Sequence, residues 1–269
     1  MRSRCHGVAE AALKNAFSLP SAVRCHGGCM TRRLLLIPVA LLALTAGCGG
    51  DPGSSGSRPK DPAPSTPPAA ASFGHTVDNP WLPWRPGTRW RFVGKTADGT
   101  ERTVVTVTHR HHTVQGVATT VVHDVVHLDG ALLEDTYDYY AQDGSGTVWY
   151  FGEDTKEYDG TKVDASGSWQ AGVHGARAGI AMPAHPTPGD RYFQEYYPGE
   201  AMDQGRVLRT DAAVTVPFGH VTGLLETKDF TRLEPKADEH KYYEKGVGVV
   251  LEKSLHEQDV TRLVSMTRP

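Results

Sequence analysis

The sequence predicts a mainly-β domain, an antiparallel meander forming a strongly curved sheet or half-barrel with little helix. Three observations predict it. Runs rich in Val and Thr recur, as over residues 102–109 and 117–127, and such alternation marks strands with one buried face. Turn residues punctuate these runs at Ala97-Asp98-Gly99, Gln115-Gly116, Asp129-Gly130 and Asp143-Gly144-Ser145-Gly146. Gly, Asn and Asp accept the backbone angles of tight hairpin turns at little steric cost. Helical periodicity, the third signal, is scarce.

The elements follow in order. Arg89–Val93 is a short strand entered from Pro86-Gly87. Arg102–His109, Val117–His127 and Leu132–Gln142 follow, each after one of the turns above. Asp143–Gly146 closes a hairpin onto Thr147–Gly152. Gly167–Pro183 is rich in Gly and Ala and reads as a long loop with at most a helical turn. Later strands are expected at Arg191–Tyr196, Gly205–Thr210, Ala213–Val216, His220–Leu233, His240–Glu252 and Val260–Met266. Long strands in series with short connections favour antiparallel pairing.

The front of the chain carries a different signal. Met30-Thr31-Arg32-Arg33 is a basic start, Leu34–Leu44 is apolar, and Thr45-Ala46-Gly47-Cys48 follows. A basic region, a short apolar core and small residues form an export signal, and the core is shorter than the ~20 residues of a membrane span. The ending Leu44-Thr45-Ala46-Gly47-Cys48 resembles the lipobox of bacterial lipoproteins. That resemblance implies cleavage before Cys48 and acylation of its thiol, palmitate being one such chain. Residues 1–29 read as an upstream over-extension of the frame, 30–47 as the signal peptide, 48–72 as the lipidated cysteine with a disordered Gly/Ser/Pro tether, and 73–269 as one mainly-β domain. Attachment to the cell membrane or outer membrane, with the domain on the extracytoplasmic side, follows from the anchor.

Cleavage there changes the arithmetic. The four cysteines are Cys5, Cys25, Cys29 and Cys48, so the folded domain has none. Disulfides, thiolate metal sites and cysteine nucleophiles are thereby excluded from it. Six Lys/Arg and one Glu precede Cys48, so the remainder carries 22 basic and 30 acidic residues, a net charge of −8. An acidic domain is a poor match for nucleic acid or for an anionic surface. Membrane attachment rests on the acyl chains, at about 0.8 kcal/mol per buried CH₂.

Candidate sites were weighed against plainer readings. His109, His111 and His112 sit at an expected strand end and read as exposed polar residues. His123 and His127 would lie about 13 Å apart on a strand, too far to share a metal. Ser166, Ser168 and His174 share a Gly-rich loop, but the chain has no G-x-S-x-G elbow. No metal and no cofactor is expected. The acidic hairpin is the strongest signal: Glu134, Asp135, Asp138, Asp143, Glu153 and Asp154 all fall on it. If Gln142 pairs with Thr147, Tyr140 faces Trp149 and Asp138 faces Phe151. A carboxylate among aromatic rings has its pKa raised, a property common in functional acids. Asp138, Tyr140, Trp149, Phe151, Glu153, Trp169 and Tyr192 are the candidate ligand-binding residues; none is assigned a catalytic role.

Several short pieces carry a resemblance over about the whole domain. They are Asp78-Asn79-Pro80-Trp81 with Pro86-Gly87-Thr88, Val148–Asp154, Gly167-Ser168-Trp169 with Ala171-Gly172, Gln194-Glu195-Tyr196, and Lys241-Tyr242-Tyr243 with Gly246-Val247-Gly248. Together they resemble a group of uncharacterised bacterial secreted proteins and lipoproteins, which implies no catalytic residues. At the level of fold the pattern resembles the half-barrel of the LolA and LolB type of lipoprotein carriers. Those wrap a sheet around a helix and hold acyl chains; the shortage of helix here is a departure.

The expected function is a non-enzymatic envelope lipoprotein that binds an apolar or amphipathic ligand, such as a lipid, in its curved sheet. A protein-docking or structural module is the second reading, and a hydrolase using the acidic hairpin the third. Membrane through Cys48 and a small amphipathic molecule are the expected partners, nucleic acid is not, and the oligomeric state is left open.

Overall fold

The computed structural model describes residues 61–269 other than 75. The expectations for residues 1–60, Cys48 among them, lie outside the described residues.

Period-2 patterning produces strands almost everywhere the sequence shows it. They are β1 (Arg89–Lys95), β2 (Thr100–Val114), β3 (Val117–Leu128), β4 (Ala131–Gln142), β5 (Val148–Asp159), β6 (Lys162–Asp164), β7 (Trp169–Gln170), β8 (Arg177–Met182), β9 (Arg191–Phe193), β10 (Glu195–Tyr196), β11 (Asp203–Val216), β12 (Gly219–Thr231), β13 (Glu239–Glu244), β14 (Gly248–Ser254) and β15 (Val260–Thr267). All pair antiparallel in one sheet, and the order β10-β8-β5-β4-β3-β2-β1-β15-β14-β13-β12-β11-β9 is nearly that of the chain. Among the described residues the only helical turn is the 3₁₀ segment Ala70–Ser72. Gln115 and Gly116, like Asp129 and Gly130, have positive φ at both turn positions. Such turns match the right-handed twist of the strands they join.

The two ends of this order meet. β9 pairs with β11 and β10 with β8, and only Gln194 separates β9 from β10. One short run of chain thus hands its hydrogen bonds from one edge of the sheet to the other. The sheet nearly closes into a barrel with one unsealed seam, which is the curved antiparallel architecture the alternation predicts.

Three local expectations are corrected. Gly167–Pro183 is not a loop throughout, because it supplies β7 and β8, both paired with β5. Its small residues serve close backbone approach: a Cβ on Gly179 would lie 2.1 Å from the Gln194 carbonyl oxygen. His240–Glu252 is two strands, since Lys245-Gly246-Val247 turns the chain between β13 and β14, with φ of 76° at Gly246 and 96° at Gly248. The β4–β5 register is also displaced by one residue. Gln142 pairs with Val148 and Ala141 with Trp149, so Tyr140 faces Tyr150 rather than Trp149. The cause is the turn: Asp143 Oδ1 accepts from Ser145 N and Thr147 N, and Thr147 stays in the loop.

The segment before β1 fills the space a helix occupies in other curved sheets. Val77, Trp81, Leu82 and Trp84 are buried in the core. Trp84 packs edge-on against Trp90 at 5.2 Å and at a tilt against Tyr140 at 5.6 Å. Asn79 pins this segment: its Nδ2 donates to the carbonyls of Gly146 and Pro183, and its Oδ1 accepts from Trp81 N. With no α-helix among the described residues, the likeness to the LolA and LolB carriers is not shown.

Candidate functional site

The acidic hairpin points three of its carboxylates inward. Alternation along β4 places Glu134, Thr136, Asp138 and Tyr140 on the buried face, while Asp135 faces outward and meets His123 Nε2 at 2.7 Å. On β5 a bulge at Phe151-Gly152 changes the phase, so Tyr150 and Glu153 both face inward. Gly152 is needed there: φ is 131°, and a Cβ would lie 2.2 Å from Trp169 O. The bulge seats Glu153 directly opposite Asp138, not Phe151 as the sequence reading has it. Tyr150 donates its hydroxyl to Asp138 Oδ1 at 2.7 Å and stacks on Tyr140 at 4.8 Å. Trp169 meets Tyr150 edge-on at 5.4 Å.

Of the candidate ligand residues, then, Asp138, Tyr140, Glu153 and Trp169 come together on the inner face. Trp149 and Phe151 face the other way. Trp149 Nε1 donates to Asp143 Oδ2, and Phe151 packs against Phe73. Tyr192 lies on the far wall, its ring over Gly205. The histidines and serines take plain roles. His112 stacks on Tyr139 within β2, rather than ending a strand, and Ser168 Oγ donates to Thr155 O. Among the described residues no three His, Cys, Asp or Glu side chains converge as metal ligands do.

The opposite wall adds acids that the sequence reading did not single out. Among the described residues ten Asp and Glu side chains are buried, against a single buried cation, Lys241. Glu226 answers to Arg209 and His240; the others are Asp124, Glu134, Asp138, Glu153, Glu195, Asp203, Asp229, Glu239 and Glu252. Lys241 Nζ stands 3.2 Å from Asp229 Oδ2 and 3.1 Å from Glu239 Oε1. Burial works against its charge, but Glu239, Asp229 and Glu252 outweigh burial and hold its pKa above the ordinary lysine range. The signal that could have found these acids is alternation: Asp229, Glu239, Lys241 and Tyr243 all occupy buried strand positions. Sequence alone does not say which parity faces in.

Burial pushes several of these acids towards their neutral form. Burial raises Asp138 to about 7, against a hydrogen bond from Tyr150 that lowers it. Burial also raises Glu153 well above its ordinary value, helped by the charge of Asp138. Asp124 rises by burial and by Glu134 and Asp138, against a backbone hydrogen bond from Val125 that lowers it. Asp203 shares a hydrogen bond with Glu195, which two carboxyl groups make only when one is protonated.

The cavity beside these side chains is small. The cavity bordered by Leu82, Tyr140, Tyr150 and Tyr243 holds about 20 Å³, enough for about one water. Small-molecule sites run to ~300–1,000 Å³. A facing carboxylate pair can exchange protons, but the cavity at Tyr140 and Tyr150 is not a substrate-sized space. Such space exists outside the barrel. A cleft of about 320 Å³ lies between the segment before β1 and the ends of β13 and β15, lined by Asp78, Pro80, Pro83, Arg85, Thr88, Gly246, Met266 and Arg268. Asp78 Oδ1 is taken by Gln142 Nε2, and Arg268 Nη2 donates to Gly246 O.

Comparison with known proteins adds little to this geometry. No family model matches the chain, and no curated protein does. Among solved structures it is similar to one from Parabacteroides distasonis described as "a putative lipoprotein", at 11% identity and a TM-score of 0.37, covering 70% of this chain and 98% of that one. A likeness that distant carries no argument about function.

Proposed function

We propose that the chain is an envelope lipoprotein, anchored through acylated Cys48, whose β domain binds a small amphipathic anion at the rim of the barrel. One observation carries the binding reading: the cleft of about 320 Å³ beside Arg85 and Arg268. Its size is that of a ligand pocket. Pro83 is buried and Met266 half-buried in its wall, while both guanidinium-bearing residues are exposed at it. Lys245 adds a third positive charge nearby, over the Trp81 ring. Asp78 keeps its negative charge, but Arg85, Arg268 and Lys245 outnumber it around the cleft, and planar guanidinium groups suit carboxylate or phosphate heads. The anchor reading rests on residues 30–48 of the sequence.

The test is native mass spectrometry of the full chain released from the membranes of a host that exports it. A stoichiometric extra mass that is extractable into organic solvent, anionic, and lost in the Arg85→Ala/Arg268→Ala double variant supports the reading. A ligand-free mass, or a retained ligand in the double variant, overturns it. Palmitate labelling of the chain, abolished in Cys48→Ser, checks the anchor separately.

A further inference from the structure

A second cavity lies at the other end of β1. Carboxylates and hydroxyls line it: Glu101 on β2, Glu239 on β13, Glu252 on β14, Asp259 before β15, with Thr96, Ser254 and Thr261. Four separate parts of the chain bring acids to one place, and no basic side chain among the described residues lines the cavity, although Lys241 Nζ stands 3.1 Å from Glu239 Oε1. The register explains the convergence. Gly94 pairs with Glu101 on one side and Thr261 on the other, and Thr261 pairs with Glu252. Gly94 has no side chain, and a Cβ there would lie 2.9 Å from Thr261 Oγ1 and 3.3 Å from Glu101 Oε2. Glycine thus opens the space into which both oxygens reach.

One feature of this pocket points to a ligand. Glu252 is 95% buried and borders the cavity, and its Oε1 has no hydrogen-bond partner among the described residues. A buried carboxylate oxygen left so is costly, worth roughly 1–3 kcal/mol or more. Ser254 Oγ already accepts from His256 N and Glu257 N, which holds the rim of the pocket in place.

Size and spacing decide between ligand classes. The space is about 30 Å³, room for one water-sized group. A calcium ion needs six or more oxygens drawn to about 2.3–2.6 Å, and among the described residues no three acids stand close enough for a metal. An ammonium group is the size of water, donates three hydrogen bonds, and accepts partners at the longer distances of about 2.7–3.2 Å. This barrel already holds one ammonium in that way, Lys241 between Asp229 and Glu239. We propose that the pocket between Glu101, Glu252 and Asp259 binds the primary ammonium end of a small amine, its carbon stem left in solvent. The charge of Asp259 contributes to holding Glu101 up at about 7, after burial, which is the repulsion that a bound cation relieves. The site is independent of the arginine cleft, and either can fail without the other.

The test uses the full chain and n-butylammonium chloride, with calorimetry and thermal melting at constant ionic strength. One-to-one binding is expected, with no binding of tetramethylammonium, which has no N–H to donate. Glu252→Gln should weaken binding about tenfold or more while leaving the ligand-free melting temperature unchanged or raised. Thr261→Val should weaken it less, with the fold intact. Absence of saturable binding, equal binding of tetramethylammonium, or one-to-one binding of calcium that displaces the amine each overturns the proposal.

Discussion

Asp138 shows what a single buried carboxyl does here. It faces Glu153 across a hydrogen-bonded strand pair, accepts from Tyr150, and has no cation beside it. Its folded pKa, about 7, lies above the ordinary 3.8. Between those two values the folded protein keeps a proton that the unfolded chain has lost. The neutral acid's contribution is therefore fully present below about pH 4 and is lost as pH rises towards 7, by about 1.4 kcal/mol per pH unit. Asp138→Asn fixes the neutral form with the same shape, and its Oδ1 still accepts from Tyr150. It should raise the melting temperature near pH 8 and change it little near pH 4. An equal shift at both pH values, in parallel thermal melts, would show that the effect is packing rather than protonation. Asp138 was legible as a carboxylate among rings because Tyr140 is two residues away on the same face. Its partner was not: one bulge at Gly152 decides that Glu153 faces in.

At the scale of elements, the legible parts are those with local signals. The hairpins at Gln115-Gly116 and Asp129-Gly130 fall where their residues predict, since both positions take positive φ. The Val/Thr strands follow for the same local reason. The missed parts depend on distant chain. β8 hides in a Gly/Ala stretch because its small residues answer to the backbone crossing it at Gln194, and nothing near Gly179 in sequence reveals that crossing. The cleft at Arg85 and Arg268 joins residues 183 positions apart and could not be read at all. This reading of Gly179 has a direct check. Gly179→Ala puts a methyl group against the Gln194 carbonyl, 2.1 Å away before any relaxation. Overpacking of that kind costs about 1–3 kcal/mol, and the damage should be greatest at the seam. Hydrogen exchange should show lost protection in β8–β10 and unchanged protection in β2–β4. Uniform loss would mean that the seam is not a separable element.

For the molecule as a whole the decisive quantity is the charge balance of its interior. The barrel encloses carboxyl groups on every side and one lysine. Burial raises Asp124, Asp138, Glu153, Asp203 and Glu252 alike. All five act with one sign: in the ligand-free fold each is held towards its neutral form at a pH where it is ionised in the unfolded chain. Their contributions are present below the unfolded value near 4 and are lost together as pH rises through neutrality. Lys241 works against this by setting a positive charge 3.2 Å from Asp229 and 3.1 Å from Glu239, so removing it leaves two more buried acids without a cation. The melting temperature of the full chain should therefore be higher at about pH 5 than at about pH 8, at fixed ionic strength. Lys241→Met should widen the gap. Stripping the cation from a buried pair costs about 3–5 kcal/mol, and near pH 5 the abandoned carboxylates can recover part of that cost by taking up protons. A melting temperature that climbs from pH 5 to pH 8 would mean that the interior acids are ionised and solvated, with water admitted through the seam. In that case the barrel would be an open, wet vessel rather than the closed acidic core described above.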